Sequence, residues 1–332
     1  MDKECIPQLS VIIPVFNVEK YIERCVRSLF SQTLNNIEFI FIDDCTPDHS
    51  IDILNSIIEE ISPRFERQKW NVIIEKMPTN CGQAEVRRHG IQLSKGEYVI
   101  HCDSDDWIEP EMFSIMMDTA RKSDADMVVC DFYRTDGEAV REIEQAAGNM
   151  NNHTYLIDLL YQKYSWALWN KMTKKKIYDK VSFYPKHSMG EDMVIVPQLV
   201  ASSSIIKHVQ KPQYNYYINP KSTMNVTGED ISERKYLQLK ENTQVLIEFL
   251  RSCLDEKTLS SVKHSLNYNM VLPILPYIRI KKKKDIYNCE ITSIIPYIIS
   301  RKIFWRYRAL AVLVKFGLYP IPLKWLNKWL SK

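Results

Sequence analysis

Apolar residues in the first 130 positions alternate between short β-branched runs and helical stripes. Residues 9–14 (LSVIIP) form an apolar run stopped by Pro14, the pattern of a buried strand. Residues 18–34 then place Tyr21, Ile22, Cys25, Val26, Leu29 and Phe30 at helical spacing. Ile37–Ile42 predicts a second strand, ending in the polar run Asp43-Asp44-Cys45-Thr46-Pro47-Asp48. Asp48 is a capping residue for a following helix with Ile51, Ile53, Leu54, Ile57 and Ile58 on its apolar positions. Val72–Ile74 predicts a third strand, 82–94 a helix, and Tyr98–Cys102 a fourth strand running into Asp103-Ser104-Asp105-Asp106. A helix over Glu111–Lys122 and a strand over Met127–Cys130 follow. This alternation predicts an α/β fold with a doubly wound, mostly parallel sheet, in which ligands bind outside the carboxyl ends of the strands.

Beyond that point the pattern is less regular. Residues 134–152 are polar and read as a loop, and residues 155–220 mix a helix, the Trp166–Lys171 segment, a helix from Glu191 and aromatic strand-like positions 213–218. From 230 onward Tyr236, Leu237, Val245, Leu246, Phe249 and Leu250 predict a packed helix. The expected organisation is one unit over 1–225, in two halves over about 1–110 and about 111–225. A helical region over 226–332 completes the chain.

Composition removes several alternatives. Eight cysteines without a Cys-x-x-Cys pair exclude a zinc ribbon, and reduced cysteines in the cytosol are the expectation. Eight glycines form neither G-x-G-x-x-G nor Walker A, so a nucleotide site has to work without a glycine-rich cradle. No apolar stretch reaches the ~18 residues that span a bilayer, and no signal peptide is evident.

The acidic clusters carry the chemistry. Asp103 and Asp105, two apart at a strand end, are expected to point the same way. Converging carboxylates repel unless a cation lies between them, and hard oxygen ligands suit Mg²⁺ or Mn²⁺. Asp43-Asp44 has two readings: a turn before a helix, or a carboxylate accepting a nucleobase N–H. Gly82 and Arg87 bring a helix start and a cation towards the same strand ends, where phosphate or an orienting carboxylate is favoured; the other reading is a solvated basic helix face. Glu191-Asp192, after Gly190, reads either as ordinary helix-start composition or as a general base for a sugar hydroxyl.

These residues resemble the family 2 glycosyltransferases, inverting enzymes of the glycosyltransferase-A fold. Leu9–Asn17, Ile42–Asp48, Asn80–Gly90, Lys95–Tyr98 and Asp103–Trp107 match successive motifs in order, and Trp169-Asn170-Lys171 and Gly190–Asp192 are similar to acceptor-side motifs. The resemblance covers about residues 8–220 and implies a catalytic unit over 1–225, with its nucleotide-sugar half over about 1–110 and its acceptor half over about 111–225. It implies a nucleotide-sugar donor, with UDP as the expected nucleotide. Asp44, together with Asp43, would hold uracil, Arg87 would support that site, and Pro14 and Val15 would line it. Gly82 and Ser104 belong to the same donor set. Asp103 and Asp105 would form the D-x-D metal element, with Mn²⁺ or Mg²⁺ as cofactor. Asp192 would be the catalytic base, with Glu191 beside it, and Trp169, Asn170 and Lys171 would face the acceptor, a glycan or lipid-linked glycan. Two departures stand out: Cys45-Thr46-Pro47 replaces the usual glycine and serine, and Val86-Arg87-Arg88 the usual Ala-Arg-Asn. A sugar-phosphate nucleotidyltransferase is an alternative, but its glycine-rich loop is lacking. A non-catalytic sugar-nucleotide-binding subunit is another, but Asp103, Asp105 and Asp192 are all present.

Charge adds a place of action. Residues 279–332 carry 13 Lys/Arg and 2 Asp/Glu, a charge of +11 against +3 for the chain, which leaves residues 1–278 at −8. In the tail, Lys324 and Lys328 lie one helical turn apart, beside Trp325, Leu326, Trp329 and Leu330. That pattern predicts a helix lying on an anionic membrane surface, and so a peripheral location at the cytoplasmic face. No nucleic-acid-binding motif accompanies the basic charge.

Overall fold

The computed structural model describes residues 6–148, 151–219 and 229–271. Strand β1 (Leu9–Val15) leads through helix α1 (Ile22–Leu29) to β2 (Ile37–Asp43). Helices α2 (Ser50–Ile61) and α3 (Pro63–Gln68) precede β3 (Asn71–Lys76), and α4 (Gln83–Leu93) precedes β4 (Tyr98–His101). Next come β5 (Trp107–Ile108), α5 (Met112–Ser123), β6 (Met127–Thr135), β7 (Arg141–Glu144) and α6 (Asn152–Leu160). The remainder comprises β8 (Lys171–Lys174), α7 (Lys175–Tyr178), α8 (Glu191–Ser202), β9 (Ile206–Tyr217), α9 (Glu229–Leu250) and α10 (Glu256–Val271).

The sheet runs in the order β3-β2-β1-β4-β8-β6-β9-β5, with β7 paired to β6. Strands β3, β2, β1 and β4 are parallel neighbours, and β6 and β9 are parallel. Strand β8 is antiparallel to both β4 and β6, and so joins the two halves. All of β2, and all of β1 except Pro14, is buried. Helices cover both faces of these strands, which is why their sequences are continuously apolar rather than alternating. The edge strand β3 is half exposed and charged, a composition that discourages further pairing.

Two expected elements change. Helix α1 is shorter than residues 18–34, because beyond Phe30 the backbone closes i→i−3 bonds from Ser31 to Ser28 and from Gln32 to Leu29. The expected loop over 134–152 contains β7, whose four residues are all exposed and therefore carry no apolar signature. Helix α9 packs on α8 and α10 on α6, and their Leu246, Leu250, Leu259, Val262 and Leu266 join the core of the sheet. Among the described residues no helix is long and apolar enough to cross a membrane. The basic tail over 279–332 lies outside the described residues.

Candidate active site

The carboxyl ends of β1, β2 and β4 open towards the first turns of α4 and α8, where ligands collect in sheets of this kind. Strand β4 stops at His101, so Asp103–Asp106 is a turn rather than a strand extension, closed by the Asp106 amide donating to the Asp103 carbonyl at 3.1 Å. The strand argument for Asp103 and Asp105 therefore fails, although their charges still interact. Burial, and then the Asp103 charge, raise the Asp105 carboxyl above its usual range. Asn219 Nδ2 donates to Asp105 Oδ2 at 3.0 Å, and Arg24 Nη2 donates to the Asp105 carbonyl at 3.0 Å. Arg24 itself lies over the Trp107 ring at 3.7 Å and the Tyr217 ring at 4.7 Å.

The third aspartate of the run has a different task. Asp106 is buried and accepts from the Tyr214 hydroxyl and the Tyr217 amide, both at 2.7 Å. Tyr214 in turn accepts from the Asp103 amide at 3.0 Å, so β9 holds the turn from behind. Ser104 is buried within the turn.

Arg87 is the hub of the site. It sits on the buried face of α4 and is itself 3% exposed. Nη2 donates to Asp103; Nη1 donates to Glu191 and, at 2.9 Å, to Asp192. One guanidinium thus ties the D-x-D turn to the start of α8. The resemblance placed Arg87 beside the nucleobase residue Asp44; its contacts here are with the metal and base candidates instead. The carboxylates it binds are unusual acids. Burial raises Glu191 to about 8, with Arg87 pulling it down and Asp192 pushing it up. Asp192 is also raised by burial, against the pull of Arg87.

Asp43 and Asp44 both accept hydrogen bonds from backbone amides. Asp43 Oδ1 accepts from the Thr46 amide at 2.7 Å, which is the turn reading. Asp44 accepts from the Cys81 amide at 2.7 Å and the Gly82 amide at 2.9 Å, so it holds the loop entering α4. A carboxylate has about four lone-pair sites, and these two bonds leave room for a further donor. Gly82 has φ +80°, and a Cβ there would meet Ser188 Oγ at 2.6 Å, so glycine is required for this approach. Pro14 is partly exposed at the end of β1, but Val15 is wholly buried; its carbonyl accepts from the Asp44 amide, and its side chain does not line the site.

The acceptor assignment of Trp169-Asn170-Lys171 also changes. Trp169 is buried and stacks on Tyr214 with ring centroids 4.2 Å apart. Asn170 Nδ2 donates to the Cys130 carbonyl at 3.0 Å. Lys171 is fully enclosed, with Nζ donating to the Ser165 and Ala167 carbonyls and to Asn170 Oδ1 at 2.7–3.0 Å. Burial lowers its ammonium to about 7. These side chains support the site from beneath and present no surface to an acceptor. Asn219, Tyr214 and Arg24 were not singled out from the sequence. Only the aromatic run 213–218 pointed to this region.

Among the described residues no group of three or more His, Cys, Asp or Glu encloses an ion. Asp103 and Asp105 offer two hard oxygen donors, a partial set of the kind completed by phosphate oxygens and water around Mg²⁺.

The family model "Glycosyl transferase family 2" matches residues 10–195. The uncharacterized glycosyltransferase EpsJ of Bacillus subtilis is 26% identical over 67% of this chain and 64% of its own length. Poly(ribitol-phosphate) beta-glucosyltransferase of Bacillus spizizenii is 27% identical over 63% of this chain and 32% of its own. The chain thus spans less than two-thirds of the length of either relative. The crystal structure of S. aureus TarS 1–349 in complex with UDP-GlcNAc superposes with a TM-score of 0.65 at 19% identity, over 93% of this chain and 87% of that one. The fold is that of a glycosyltransferase, and the family model covers more than half of the chain: it belongs to glycosyl transferase family 2.

Proposed function

We propose that this transferase moves a sugar, with inversion, from a UDP-sugar to a hydroxyl of a glycan or lipid-linked glycan during cell-surface polysaccharide assembly. The observation that carries the reading is the Arg87 bridge, which gathers Asp103, Glu191 and Asp192 into one cluster at the strand ends. Asp103 and Asp105 would hold Mn²⁺ or Mg²⁺ there. When bound, such an ion would supply positive charge to offset the negative charge building on the diphosphate leaving group. Burial, and then the Asp103 charge, disfavour the ionised Asp105 carboxyl, and a divalent cation held by the pair would offset both.

Asp192 is the better placed of the two base candidates, with 30% of its side chain exposed against 5% for Glu191. Its carboxylate takes the acceptor proton as the hydroxyl oxygen attacks the anomeric carbon. The bond to the diphosphate oxygen breaks on the opposite face, and its electron pair leaves with the nucleotide. Arg87 keeps both acids near Asp103 and stabilises their ionised forms. UDP-GlcNAc in TarS and the polymer acceptor in the name of the Bacillus spizizenii relative support the choice of donor and acceptor class. The test is an Asp192→Asn variant: UDP affinity stays within about twofold while transfer falls by about 10³-fold or more. Loss of UDP binding in that variant would remove Asp192 from the base role.

A further inference from the structure

A cavity of about 160 Å³ lies beside the carboxylate cluster, between α4, the segment after α7 and the start of α8. Arg87 and Glu191 line it, whereas Asp44, Asp103, Asp105 and Asp192 do not. Its volume corresponds to roughly ten waters, enough for one sugar ring. Tyr184 and Lys186, both exposed, stand at the mouth, and buried Tyr178 and His101 lie deeper.

Two of its lining side chains hold buried polar atoms without a hydrogen-bond partner: His101 Nδ1 and Arg87 Nε. His101 is 1% exposed and engages only through Nε2, 3.2 Å from the Tyr178 hydroxyl. Both atoms are themselves closed to water, so a ligand in the cavity reaches them only if the wall shifts. The cavity also presents an acceptor, the Glu191 carboxylate, already bound on one side by Arg87. The lining mixes both signs, with Glu85 and Glu191 beside Arg87, Arg88 and Lys186, so neither an anion nor a cation meets one sign alone. A neutral hydroxyl group both donates and accepts, so it suits the mixture. Aromatic walls with a few polar groups complete a pocket suited to an amphipathic ring.

We propose that this cavity binds a sugar unit of the acceptor, next to the unit that reacts. The inference rests on the transferase reading above and places the acceptor on the Glu191 side of Arg87, with the donor on the Asp103 side. It also replaces the Trp169-Asn170-Lys171 assignment with residues that reach open space; Leu168, one position earlier, lines the cavity.

The experiment is saturation-transfer-difference NMR on the full chain with three probes: methyl β-D-glucopyranoside, methyl β-D-galactopyranoside and methyl N-acetyl-β-D-glucosaminide. Each is measured with and without saturating UDP and Mn²⁺. At least one probe should give a signal that persists with UDP bound. Tyr184→Ala and Lys186→Ala, both at exposed positions, should each weaken that probe by about tenfold while leaving UDP affinity within about twofold. No signal from any probe, displacement of the signal by UDP, or signals as strong as wild type in both variants would each overturn the assignment. Absence of UDP binding alongside an intact, variant-sensitive sugar signal would instead overturn the donor reading and leave the cavity with its ligand.

Discussion

Arg87 balances three carboxylates from two elements far apart in sequence, and its behaviour on substitution follows from that. Arg87→Ala leaves buried acids without a counter-charge, a change that costs about 3–5 kcal/mol when a buried pair is broken. The expected result is a lower urea midpoint together with loss of turnover. Arg87→Lys keeps the charge but not the two-armed geometry, so it should recover much of the stability and little of the activity. Equal activity in Arg87→Lys and wild type would show that the bridge is not needed. The same residues set a pH dependence. Burial raises Glu191 to about 8 and raises Asp192 as well, so both hold protons over a wider acidic range than ordinary carboxyls. A base works only when ionised, so turnover should rise with pH along an acid limb displaced upwards from the usual ~4. A pH–rate profile of nucleoside-diphosphate release checks this, and an acid limb at about 4 would contradict it.

At the scale of elements, α4 carries the site because it lies close on β1 and β2. Gly90 makes that approach possible: a Cβ there would meet Ile12 Cγ2 at 2.5 Å and Ile42 Cδ1 at 2.9 Å. In a free helix, alanine in place of glycine is worth about 1 kcal/mol. Here the collision with two core side chains outweighs it, and Gly90→Ala should destabilise by about 1–3 kcal/mol. Thermal unfolding decides the sign; a higher melting temperature would mean that the helix gives way easily. The strands that build this platform were legible because they are buried on both faces and read as apolar runs. Strands β8 and β9 were harder. Lys171–Lys174 is a buried strand in which three of four residues are polar; backbone carbonyls satisfy Lys171, and Asp124 and Asp126 satisfy Lys174. In β9, Lys207, Gln210, Lys211 and Pro212 interrupt the pattern, opposite an irregular register near Cys130 and Phe132. The site showed the same division. Asp103, Asp105, Glu191 and Asp192 stand out as acids at element ends, whereas the Arg87 bridge and the support from Asn219 depend on contacts 16 to 114 residues apart that no local pattern records.

At the scale of the whole molecule, the net charge of +3 conceals an acidic body and a tail of +11. The body supplies the carboxylate cluster, and the basic, tryptophan-bearing tail is proposed to hold it at an anionic surface, each lysine near that surface adding on the order of 1 kcal/mol. Deleting the chain after Tyr297 should weaken binding to vesicles containing anionic lipid, with little effect on UDP affinity; unchanged vesicle binding would refute the anchoring role. The central claim, that the cluster at the strand ends performs metal-assisted sugar transfer, is tested most directly by nucleoside-diphosphate release from a panel of nucleotide sugars. Wild type and Asp105→Asn are compared with and without Mn²⁺ or Mg²⁺. The account predicts UDP release that needs the metal in wild type and is abolished in Asp105→Asn; full activity in that variant, or metal-independent release in wild type, would contradict it.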